Sequence, residues 1–149
     1  MLKSFGRLPF YLLMLITSKE NPKIKNAVRL KNSAGYRNKT GMFFLEGQRL
    51  CMDAALGGAD IPTAFFTPEF AKKFPDDTGA IIKAACQTFE VTEQVFTKLS
   101  DTNSPQGVIC LCSFPKFCLN PKRGGKYVIL ENVADPANTG AIARTAEAL

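Results

Sequence analysis

Met42-Phe-Phe-Leu45, Glu46-Gly47, Gln48-Arg-Leu-Cys-Met-Asp-Ala-Ala-Leu56, Gly57-Gly58 and Ala64-Phe-Phe-Thr67 form the stretch that decides the fold. A short apolar run closed by Glu46-Gly47 predicts a buried strand. Gln48–Leu56 then carries Leu50, Cys51, Ala54 and Ala55 at helical spacing, and Gly57-Gly58 stops it. Ala64–Thr67 predicts a second strand. Strand, helix and strand in close succession are the alternation of an α/β domain.

The pattern continues on both sides. Toward the N-terminus, Asn21-Pro22 opens a helix as N-cap and first helical residue. Ile24, Ala27 and Val28 form its apolar face, with Lys23, Lys25, Arg29 and Lys31 elsewhere on its surface. Asn32–Gly41 reads as a polar loop carrying Arg37 and Lys39. Toward the C-terminus come a short helix over Glu69–Phe74, a helix over Ala80–Cys86 and a short edge strand at Phe89–Val91. A helix over Thr92–Leu99 with Thr92 as N-cap, a turn over Ser100–Pro105 and a strand over Gly107–Leu111 complete an α/β domain at residues 17–113. Residues 114–125, with Pro115, Pro121 and Gly124-Gly125, read as a linker. A second unit at residues 126–149 opens with the strand-like Tyr127–Leu130 and continues into a helix after Asp135-Pro136.

Residues 1–16 imitate a signal peptide, with Lys3 and Arg7 ahead of the apolar Leu8–Ile16. No small-residue cleavage site follows, and the run is far shorter than the ~20 residues of a membrane span. They read as an N-terminal extension, with Met14 the natural beginning, and no membrane association is expected.

A chain of 149 residues with 46% hydrophobic content and 12 Phe holds one ordinary core and is too short for two complete domains. Nineteen Lys+Arg against 13 Asp+Glu give a net charge of +6, which favours polyanionic partners. The lack of histidine excludes Ser-His-Asp and Cys-His hydrolases and mixed Cys/His zinc sites. Five cysteines without a CxxC pair make an all-cysteine metal site improbable and fit a reducing cytoplasm; no metal is expected.

Three segments hold candidate chemistry. Lys19, Lys23, Lys25, Arg29, Lys31, Arg37, Lys39 and Arg49 are a basic cluster, opposed before residue 50 only by Glu20 and Glu46. It reads equally well as an RNA or DNA surface or as solvated helix faces. Ser100-Asp-Thr-Asn-Ser-Pro-Gln-Gly107 reads as a polar turn, or as a loop in which Gln106-Gly107 presents a side-chain amide and accessible backbone to a ligand. Asp135-Pro-Ala-Asn-Thr-Gly-Ala-Ile-Ala-Arg144 reads as a phosphate-binding helix start or as an ordinary solvated helix.

The residues together resemble the SpoU/TrmH-type RNA 2′-O-ribose methyltransferases of the SPOUT superfamily. Ile16–Lys25, Arg37, Phe43–Arg49 and Leu99–Val108 resemble that family's N-terminal substrate-binding domain; Val133–Ala146 resembles its first catalytic motif. The resemblance implies a three-layer α-β-α domain akin to ribosomal proteins that bind kinked RNA, followed by the first β-α unit of a trefoil-knot methyltransferase domain. It implies RNA contacts at Lys23, Lys25, Arg29, Lys31, Arg37, Lys39, Glu46, Arg49 and Gln106, and catalytic roles for Asn138 and Arg144.

It also implies methyl transfer from S-adenosylmethionine to ribosomal or transfer RNA, homodimerisation of the complete protein, and structured RNA, ribosomal above all, as partner. The family's later, cofactor-binding motifs would lie beyond Leu149. Residues 1–149 are therefore expected to bind RNA but neither S-adenosylmethionine nor its methyl transfer chemistry, and residues 126–149 are expected to pack poorly. The alternative is a stand-alone RNA-binding protein of ribosomal-protein type.

Overall fold

The structure, a computed structural model, describes residues 14–116 and 120–149. The signal-like residues 1–13 and Cys118 lie outside the described residues. The chain divides into two compact units after Lys116.

The first unit is built on a five-stranded sheet: β1 (Met14–Ile16), β2 (Met42–Glu46), β3 (Ile61–Phe66), β4 (Ala85–Val91) and β5 (Val108–Ser113), in the order β1-β4-β3-β5-β2. β4 runs parallel to both β1 and β3, whereas β5 runs antiparallel to β3 and β2. Six helices surround the sheet: α1 (Pro22–Asn32), α2 (Ala34–Thr40), α3 (Gln48–Leu56), α4 (Pro68–Lys73), α5 (Pro75–Ala84) and α6 (Glu93–Leu99).

Pleating sends alternate strand residues to opposite faces. Phe65, Phe89, Val91, Ile109 and Leu111 pack with Ile24, Ala27 and Leu30 of α1, Tyr36 of α2, and Val95, Phe96 and Leu99 of α6. Ala64, Phe66, Val108, Cys110 and Cys112 pack with Cys51 of α3, Phe70 of α4 and Ile81 of α5. Two helical layers enclosing one sheet give the three-layer α-β-α arrangement. Phe65 and Phe89 are register partners, with ring centroids 5.9 Å apart. Each such fully buried side chain contributes about 1.5–3 kcal/mol through burial.

The observed elements depart from sequence expectation in five places. Met14–Ile16, placed in the N-terminal extension, is an edge strand whose Ile16 is buried in the core. The polar stretch before Gly41 contains α2: the Ser33 hydroxyl accepts the Tyr36 N–H, and Gly41 ends the helix at φ +66°. α5 begins at Pro75 and ends at Ala84, because Ala85 and Cys86 join β4. β4 is internal rather than an edge, since β1 covers its outer side. Tyr127–Leu130 forms no strand; an isolated extended segment has no ladder partner.

In the second unit, α7 (Pro136–Ala148) starts where the Asp135 carboxylate accepts the Ala137 N–H at 2.8 Å. None of its residues is buried, and Tyr127–Leu130 are all exposed. One helix and one extended segment give each other too little apolar cover.

Candidate nucleic-acid interface

The carboxyl ends of β2 and β3 meet the amino end of β5 at one end of the sheet, the usual ligand side of α/β folds. Two glycines make this junction. Gly47, between β2 and α3, has φ +100° and donates its N–H to Val108 O at 3.1 Å. Gly107, before β5, has φ +82° and accepts the Thr67 N–H at 2.9 Å. A Cβ on Gly107 would stand 2.7 Å from Thr67 Oγ1, and one on Gly47 would stand 2.9 Å from Gln106 Oε1. The left-handed backbone and the close approach both require glycine.

Gln106 reaches across this junction. Its Oε1 accepts the Gln48 N–H at 2.8 Å, so the 100–107 loop satisfies a free donor at the start of α3. Gln48 Nε2 donates to Asp77 Oδ2 at 2.6 Å. Gln106 thus has a joining role, and its side chain remains exposed to solvent.

Glu46, half-buried at the end of β2, anchors the other end of the loop. Its carboxylate accepts hydrogen bonds from Ser100 Oγ, from the Asp101 N–H at 3.2 Å and from Thr102 Oγ1 at 3.1 Å. Lys31 completes the clasp, donating to Lys98 O, to Ser100 O and, at 2.7 Å, to Asp101 Oδ1. Ser100, Asp101 and Thr102 lie in the 100–107 segment singled out from sequence, but their partner does not show there, because the carboxylate they serve lies more than 50 positions earlier.

The basic residues divide by environment. Lys31, with 10% of its side chain exposed, and Arg37, which donates to Leu30 O at 2.9 Å and Lys31 O at 2.8 Å, are engaged by the protein itself. Lys31 holds the 98–101 segment and Arg37 the C-terminal carbonyls of α1. Lys23 donates to Gln87 Oε1 at 2.9 Å and lies 4.6 Å from the Phe89 ring centroid. Arg29 stacks on Tyr36 at 4.2 Å. Lys25 pairs with Glu20 at 2.6 Å, and this contact, with help from Lys98, holds the Glu20 carboxyl below its ordinary range. Arg49 is 4.0 Å from Asp53 and almost wholly exposed. Lys39 is exposed on α2.

In the second unit, Asn138 and Arg144 are exposed on the first and later turns of α7. Among the described residues, no group of three His, Cys, Asp or Glu is arranged to hold a metal ion, and no helix is long and apolar enough to cross a membrane. Cys51, Cys110 and Cys112 are buried free thiols of the core. Hydrogen bonding to the Cys51 thiol, then burial, pushes the Cys110 thiol up; burial pushes Cys112 up to about 12.

The family model described as "MRM3-like substrate binding domain" matches residues 21–110. An uncharacterized tRNA/rRNA methyltransferase of Synechocystis is 30% identical over 89% of this chain and 48% of its own length. The 23S rRNA (guanosine(2553)-2′-O)-methyltransferase RlmP of Bacillus subtilis is 28% identical over 89% of this chain and 50% of its own. A crystal structure of an RNA 2′-O ribose methyltransferase superposes with a TM-score of 0.64 at 29% identity, covering 91% of this chain and 52% of that one. The chain spans about half the length of the curated relatives it matches.

Proposed function

The chain belongs to the family of MRM3-like substrate-binding domains, and on that premise we propose that the glycine-built end of its sheet holds structured RNA for ribose methylation. The observation that carries this reading is the Gln106–Gln48 bond with the Glu46–Ser100–Thr102 clasp, which fixes two exposed turns as one rigid surface inside the family match. A rigid surface at the strand ends, with the 101–106 loop exposed, suits recognition of a folded RNA by shape. Lys23, Lys25, Arg29, Lys39 and Arg49 engage phosphates of the bound RNA, while Lys31, Arg37, Glu46 and Gln106 hold the form.

Fluorescence anisotropy of a structured ribosomal RNA fragment with the full chain tests this. Affinity falls as salt rises, with a log–log slope of about 0.7–0.9 per phosphate contact. Arg49→Ala and Lys39→Ala each make the slope shallower by about one contact. RNA binding that is absent or indifferent to salt overturns the reading.

For the whole protein we propose ribose 2′-O-methylation of ribosomal or transfer RNA with S-adenosylmethionine, by a homodimer in the cytoplasm. No α7 residue is buried, so residues 120–149 do not enclose such a cofactor by themselves. A guanidinium is a poor proton acceptor, so Arg144 serves to orient a phosphate and stabilise the developing ribose alkoxide rather than as a general base. Asn138, on the first turn of the same helix, is its partner in the site. Arg144→Lys in the whole protein lowers kcat on an RNA substrate by about 10²-fold or more if the planar fork is what counts; unchanged kcat refutes that role.

A further inference from the structure

Lys122-Arg-Gly-Gly-Lys126 forms a tight turn of the second unit, outside the residues 21–110 that match the family. The Gly125 N–H donates to Lys122 O at 3.0 Å, and Gly124, third of the four turn residues, has φ +81°. A type II turn demands a left-handed residue at that place. Tyr127 then folds back over the turn. Its hydroxyl donates to Lys122 O at 2.9 Å and accepts the Lys122 N–H, so one oxygen serves both polar backbone groups of that residue.

A Cβ on Gly125 would stand 2.5 Å from that hydroxyl and 2.7 Å from the ring carbon bearing it. Gly124 thus permits the bend, and Gly125 leaves room for the tyrosine latch. These bonds all lie within residues 122–127, so the form of the turn does not depend on burial in a core.

We propose that this latched turn is a further phosphate-binding element, gripping the sugar-phosphate backbone of RNA through Lys122, Arg123 and Lys126. The inference rests on the RNA-holding role proposed above and adds a contact from the other unit.

Three cations fall within five positions, and no Asp or Glu occurs between Asp101 and Glu131. All three side chains are exposed, and among the described residues none is in an ion pair. In the first unit, by contrast, Lys25, Lys31 and Arg49 each face a carboxylate. Closely spaced cations repel one another, and a polyanion relieves that repulsion. Arg123 brings a planar fork that matches two oxygens of one phosphate, while the lysines act as point charges. Fixing the turn beforehand lowers the ordering cost of binding. An anionic membrane is the competing polyanion. Lipid-binding basic clusters carry about 4–8 Lys/Arg beside or along a helix, whereas this turn has three and leads into an extended segment.

The experiment is RNA anisotropy across a salt series with the full chain and two variants. Lys122→Ala, Arg123→Ala and Lys126→Ala together make the log–log slope shallower by about two to three contacts and weaken binding at least about 10-fold at about 0.1 M salt. The loss is equal for RNAs of different sequence, since phosphates carry none. Tyr127→Phe keeps every charge but removes the latch: the slope stays, and affinity falls about 2- to 10-fold. All four positions are exposed and outside both hydrophobic clusters, so the first unit folds as before.

A triple variant that binds with wild-type affinity and slope overturns the turn and leaves the RNA reading of the sheet end standing. If Arg49→Ala and Lys39→Ala change nothing while the triple variant loses binding, the turn stands and that reading falls. Wild-type affinity in Tyr127→Phe refutes the latch as part of the site. Binding to phosphatidylserine vesicles through these residues, with RNA affinity unaffected by their loss, overturns RNA as the ligand.

Discussion

Glu46 receives three hydrogen bonds from one short loop, and its loss would leave Ser100, Thr102 and the Asp101 N–H to water. Glu46→Ala is expected to cost about 1–3 kcal/mol in a urea melt, and to reduce RNA affinity even though removing a negative charge would by itself raise it. Full retention of stability would show that the clasp contributes nothing. The buried thiols make a second test. Cys112 ionises near 12 when folded but near the ordinary value of 9.0 when unfolded, so above pH 9 the unfolded chain releases a proton that the folded chain keeps. Stability therefore falls as pH rises from 9 toward 12, by up to about 1.4 kcal/mol per pH unit for this thiol. Cys112→Ala should lessen that alkaline slope; an identical slope in both proteins refutes it. Neither role could be read from sequence. Glu46 and Gln106 stood inside segments of resemblance, but their partners lie 54 and 58 positions away, and no local pattern announces them. Lys31 and Arg37 looked like solvent-facing cations because a one-dimensional pattern does not show which backbone carbonyls a long side chain can reach.

At the scale of elements, local chemistry was legible where it was self-sufficient. The Asn21-Pro22 start of α1, the glycine-bounded α3 and the strand after Gly107 all appear where caps and periodicity put them. Elements made by distant partners were not legible. β1 is three residues long and exists because it pairs with β4; α2 is polar and exists because Ser33 caps it and Tyr36 packs on the core. Tyr127–Leu130 failed in the opposite sense, having strand composition without a partner strand. That contrast predicts amide exchange. Val108–Cys112, buried in the sheet, should exchange only with opening of the whole first unit, whereas α7 should exchange at rates near those of a free helical peptide. Slow exchange across Ile142–Leu149 would show that the second unit carries packing of its own.

For the molecule as a whole, both hydrophobic clusters, among the described residues, are complete by Cys112. The three-layer class was legible because strands and helices alternate; the strand order was not, because it depends on β5 entering between β3 and β2. That insertion has a consequence for how the protein is made. During synthesis β2 leaves the ribosome early, yet among the described residues its one neighbour in the sheet is a strand more than 60 positions later. Until β5 emerges, Met42-Phe-Phe-Leu45 is an apolar ribbon with neither edge paired, the kind of segment that seeks other chains. A nascent polypeptide released at Gly107 should therefore sediment with aggregates or remain with chaperones, and one released at Lys116 should be soluble. Equal solubility of the two would mean that β2 finds shelter before its partner arrives; otherwise the cell must guard this chain through most of its translation.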